Sequence, residues 1–94
     1  MENKDTKEAT VVLGDEFDEP LREALLEVLR EMGATEQSSE RGVGGSQEIE
    51  TAVFDLRGKR LVVEAETYEG LSIRGEEAVV KVVQERLAAS RGAP

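Results

Sequence analysis

Residues 49–74 hold three short runs of alternating apolar side chains separated by two glycine-bearing turns, and nothing else in the chain limits the fold as much. Gly58-Lys59 suits a two-residue hairpin loop with glycine first, as a type II′ turn prefers. In that register Leu56 faces Leu61, Phe54 faces Val63 and Ala52 faces Ala65, an apolar pair at every step. Tyr68-Glu69-Gly70 reads as a three-residue loop with glycine at its left-handed position, setting Thr67 against Leu71 and Ala65 against Ile73. A slip of one residue would swing the apolar set to the other face, so this register is strongly specified.

Two amphipathic helices flank the unit. Leu21, Ala24, Leu25, Val28, Leu29 and Met32 form one continuous stripe over residues 18–32. Asp18 is placed to cap this helix, Pro20 sits in its first turn and Gly33 supplies the stop. Glu23, Glu27 and Glu31 repeat every four residues on its outer face. Residues 76–89 give the second helix, with Val79, Val80, Val83 and Leu87 on one side. Ahead of both, Ala9–Leu13 is a short β-branched run ended by Gly14, read as a first strand. Residues 34–47 are polar and rich in serine and glycine, and read as a long mobile loop.

One apolar stripe per helix and one apolar sheet face imply a two-layer α+β fold, a mostly antiparallel sheet with two helices on one face, in the order β-α-β-β-β-α. The outer face would show Thr51, Val53, Asp55, Val62, Glu64, Glu66, Ser72 and Arg74, largely polar. Residues 1–8 are expected as a flexible polar tail, 9–89 as a single domain and 90–94 as a second flexible tail.

Composition closes off much chemistry. Among the 94 residues there is no cysteine and no histidine, which removes disulfides, thiolate and imidazole metal sites, thiol nucleophiles and the commonest general base. No apolar run is long enough to span a membrane, and the polar start lacks a signal-peptide core, so a cytoplasmic location is the expectation. The formal charge of −9 is unevenly placed: residues 1–50 carry 14 acidic and 5 basic side chains, residues 51–94 seven of each. Such a field repels nucleic acid and anionic membrane and favours basic partners.

Candidate sites each meet an ordinary alternative. The run Asp15-Glu16-Phe17-Asp18-Glu19 offers carboxylates to a divalent cation, but matches no calcium-loop spacing and suits the positive end of a helix dipole. Gly42-Val43-Gly44-Gly45-Ser46 leads from a helix toward a strand, the reverse of a phosphate loop, and reads as a connector. Arg57-Gly58-Lys59-Arg60 is a basic hairpin tip able to touch phosphate or an acidic partner, or simply a solvated turn. Glu64 and Glu66 point the same way about 6.6–6.8 Å apart along one strand. That spacing suits a hydrolytic carboxylate pair, but their face offers no cleft to shift either group. Val53 and Val62, diagonal in this register, form a small apolar patch on the outer face.

From Asp18 onward the order α-β-β-β-α resembles the topology of double-stranded-RNA-binding domains, whose Gly-Lys turn Gly58-Lys59 echoes. Where those domains start the second helix with lysines, this chain reads Gly75-Glu76-Glu77, which would repel phosphate, so the resemblance stops at topology. The reading is therefore a non-enzymatic domain, without metal or cofactor, that binds another protein through the acidic first helix and the adjoining loop. The partner-binding residues are Glu23, Glu27 and Glu31 with Arg57, Lys59 and Arg60. The alternative is nucleic-acid or ribosome association through the basic tip and Arg74. A third reading is a carboxylate-based enzyme or metal binder at Asp15–Glu19 or Glu64/Glu66.

Overall fold

The structure is a computed structural model that describes residues 7–44 and 47–92. Its elements run β1 (Glu8–Gly14), α1 (Glu19–Glu31), β2 (Thr35–Gly44), β3 (Gln47–Leu56), β4 (Lys59–Glu66), β5 (Gly70–Glu76) and α2 (Glu77–Gly92). The five strands form one antiparallel sheet in the spatial order β1-β5-β4-β3-β2. Both helices cover one face, giving the α+β two-layer fold that the apolar stripes imply.

The element order differs from expectation by one strand: β2 occupies most of what reads as a loop. Every residue from Thr35 to Gly42 is exposed, so this edge strand has no buried face to impose apolar alternation on its sequence. It is held by its backbone ladder to β3, from Thr35↔Asp55 to Gly44↔Gln47, with one irregularity between Glu36 and Ser38. The chain from α1 onward is thus α-β-β-β-β-α, one strand away from the double-stranded-RNA-binding order. Residues 45 and 46 of the glycine run lie outside the described residues, as do residues 1–6 and 93–94 of the expected tails. The inner ends of those tails are ordered: Glu8 opens β1, and Ser90 to Gly92 complete α2.

Both hairpins are set two residues from the expected register. The first turn is Arg57-Gly58, with φ of 55° and 85°. Positive φ at both positions makes a type I′ turn, whose twist matches the strands it joins. Leu56 therefore meets Lys59, Phe54 meets Leu61, and Ala52 meets Val63. Val53 and Val62 sit directly opposite each other rather than diagonally. In the second hairpin the loop is Thr67-Tyr68-Glu69, and Ala65 pairs with Leu71, Val63 with Ile73. A two-residue shift returns each side chain to its own face, so apolar alternation cannot distinguish the two registers. Gly70 is left-handed as expected, with φ 100°, and a Cβ there would lie 2.5 Å from the Gly14 carbonyl oxygen.

With this register, rows of inward side chains cross the sheet. One row runs Ala52, Val63, Ile73, Val11; another runs Phe54, Leu61, Gly75, Ala9. Leu21, Leu25, Val28 and Leu29 of α1 and Val80, Val83 and Leu87 of α2 close over them in one cluster. Asp18 caps α1 by accepting from the Leu21 N–H at 3.1 Å. At the other end the Gly33 N–H donates to the Arg30 carbonyl and the Ala34 N–H to that of Leu29, a Schellman closure. Among the described residues no charged or polar residue is buried and no buried side-chain polar atom lacks a partner.

Candidate functional site

Each inward row ends differently at β2. Glu36 follows Phe54, Ser39 follows Ala52, and Arg41 follows Glu50. The sheet thus extends past the helix layer as a polar shelf, and between that shelf and α1 lies a groove of about 550 Å³. Its floor is Ala52, Phe54 and Val63; its inner wall is Arg22, Leu25 and Leu26; its outer rim is Glu36, Ser39, Glu40 and Arg41. Leu26 is 46% exposed, an apolar side chain left in water at the groove's edge. An apolar floor with a few polar groups around it is the composition of ligand and protein-binding sites.

One ion-pair cluster marks the groove. Glu50, on β3, accepts from Arg22 of α1 at 2.7 Å and from Arg41 directly across the strand pair. The hydrogen bond from Arg22, then that from Arg41, holds the Glu50 carboxyl below the usual glutamate range, against a smaller opposing effect of burial. The same carboxylate holds the Arg41 guanidinium above its usual value. The cluster links β2 and β3 to α1 across the groove. Both guanidiniums keep N–H donors beyond the one atom each directs at Glu50.

The residues singled out from sequence fall around the groove, not in it. Glu23, Glu27 and Glu31 are exposed on the back of α1, and Glu27 is paired with Arg30 at 2.7 Å. None of the three lines the groove. Arg57, Lys59 and Arg60 are exposed at the β3–β4 tip, where Lys59 meets Glu76 at 3.2 Å and Arg60 stands opposite Asp55. Within the Asp15–Glu19 run, Asp15 accepts the Phe17 N–H at 2.8 Å through one carboxylate oxygen, and Asp18 is the helix cap. No group of three or more carboxylates able to hold a metal ion occurs among the described residues. Glu64 and Glu66 lie on the outer face, Glu64 between Thr51 and Ser72 in the ladder. No described helix is long and apolar enough to cross a membrane.

Sequence reasoning missed Arg22, Leu26, Arg41 and Glu50. The available signal was Leu26, a leucine beside Leu25 that falls off the helical stripe. The ion-pair cluster had none, because residues 22, 41 and 50 meet only once β2 is recognised as a strand. Comparison of this chain with protein-family models, curated proteins and solved structures finds no match.

Proposed function

We propose that this chain is a non-enzymatic module that binds a segment of another protein in the groove between α1 and β2. The observation that carries the reading is the groove itself: apolar floor, exposed Leu26 at its lip, and a polar rim supplied by an otherwise exposed strand. This keeps the acidic first helix and the stretch after it as the binding region. It moves the contact from Glu23, Glu27 and Glu31 to the helix side that bears Arg22 and Leu26. The glutamates on the back of the helix would then steer basic partners rather than touch them. Nucleic-acid association through Arg57, Lys59, Arg60 and Arg74 is the weaker reading, since Glu76 and Asp55 offset that basic tip.

A photo-cross-linking residue at position 26, compared with one at Lys81 on α2, tests the reading. The expected result is a discrete protein partner labelled from position 26 alone and lost with Ala52→Glu. Equal labelling from both positions, or labelling of nucleic acid instead, would overturn it.

A further inference from the structure

Only three residues of this chain are aromatic, and the fold treats them unequally. Phe54 is in the core at 7% exposure, whereas Phe17 is 75% and Tyr68 77% exposed. These two come from turns distant in sequence, β1–α1 and β4–β5. The antiparallel pairing of β1 with β5 brings the turns to the same end of the sheet, with Gly14 opposite Leu71. Together they line an open depression of about 560 Å³ with Gly14, Asp15, Glu16, Thr67, Glu69 and Gly70. Among the described residues its lining contributes three carboxylates and no lysine or arginine. Tyr68 also holds φ 79°, a left-handed conformation that a bulky side chain rarely adopts and that glycine or asparagine would take with less strain. Neither ring is placed there by packing, and one is placed there against backbone preference.

We propose that this depression docks a basic segment of a partner protein, with an arginine side chain against the Phe17 and Tyr68 rings and its charge met by Asp15, Glu16 and Glu69. A guanidinium stacks on an aromatic face and is attracted by the ring quadrupole, and it is less strongly hydrated than an ammonium. The site shares no residue with the groove beside α1. Its success or failure is therefore independent of that reading.

The chain reports on this site unaided, because Tyr68 is its only tyrosine and it has no tryptophan. An acetylated, amidated tetra-arginine peptide titrated at physiological ionic strength should change Tyr68 fluorescence saturably and shift the NMR signals of both rings. Followed by backbone amide shifts, Tyr68→Ser should weaken binding at least fivefold, as should the pair Glu16→Gln and Glu69→Gln. The pair Glu23→Gln and Glu27→Gln removes the same charge from the back of α1 and should leave affinity within twofold, as should Leu26→Glu. Absence of saturation, wild-type affinity in Tyr68→Ser, or an equal loss in the two charge-matched pairs would overturn the proposal. The last outcome would mean that the peptide senses only the net negative field.

Discussion

The two sides of this sheet are built on different terms. Across β1, β5 and β4 the inward rows are Val11, Ile73 and Val63 or Ala9, Gly75 and Leu61, sealed by both helices. Across β2 those two rows end in Ser39 and Glu36, the adjoining row through Ala65 and Glu50 ends in Arg41, and the strand stays exposed through Gly42. The first side spends its apolar surface on folding. The second leaves Ala52 of β3 only partly buried, beside an exposed leucine. An edge strand is ordinarily a hazard, and here the polar and charged side chains of β2 blunt it. The contrast separates where stability resides from where binding can occur.

The largest expected effect tests that separation directly. Leu61 and Ile73 are fully buried, and either one changed to alanine should cost about 2–5 kcal/mol in urea unfolding. Ser39→Ala on β2 should stay within about 0.5 kcal/mol. Comparable losses from both would erase the distinction. Next comes Gly70→Ala, where a left-handed residue would gain a Cβ facing the Gly14 carbonyl. It should cost at least about 1–2 kcal/mol and loosen β1 from β5, visible as faster amide exchange in Val11 and Val12.

A smaller effect of opposite sign is expected at the neighbouring turn. Tyr68→Gly relieves a left-handed tyrosine at the expense of a more flexible unfolded chain, for a net gain of up to about 0.5–1 kcal/mol. A loss of stability instead would show that Tyr68 packs structurally after all. The smallest effect concerns Glu50. Its folded-state pKa lies below its unfolded value, so its stabilisation is complete above the ordinary glutamate range and is lost as pH falls through the folded value. Wild type should therefore exceed Glu50→Gln modestly at pH 7, and the two should converge in acid. The difference is modest because the Glu50 side chain is about one-third exposed and water screens the pairs. No convergence in acid would place the worth of Glu50 in packing rather than charge.

Legibility tracks burial residue by residue. The stripe from Leu21 to Met32 and its Asp18 and Gly33 boundaries are visible in the sequence because a helix half-buried on a sheet must repeat with its own period. The inward and outward sets of β3, β4 and β5 are visible for the same reason. β2 is invisible because neither of its faces is buried, and Thr35 to Gly42 carries the composition of a loop. The groove inherits that blindness: its rim is β2, and its Arg22–Glu50–Arg41 cluster joins three elements, one of them unrecognised.

The apolar hairpin unit from which the reading starts marks the boundary between the two kinds of information. Which side chains face the helices is settled by alternation alone, because parity survives any shift of two residues. Which residues pair is settled by turn geometry and by neighbouring strands: the I′ twist at Arg57-Gly58 and the approach of Gly14 to Gly70. The chain's letters thus determined two helices, a one-faced sheet and a chemistry without thiols or imidazoles. Only the assembled sheet decided that a polar stretch pairs as a fifth strand, that a groove opens beside α1, and that two distant turns share exposed aromatic rings. Local patterns record burial, whereas exposed surfaces are brought together by contacts far apart in sequence.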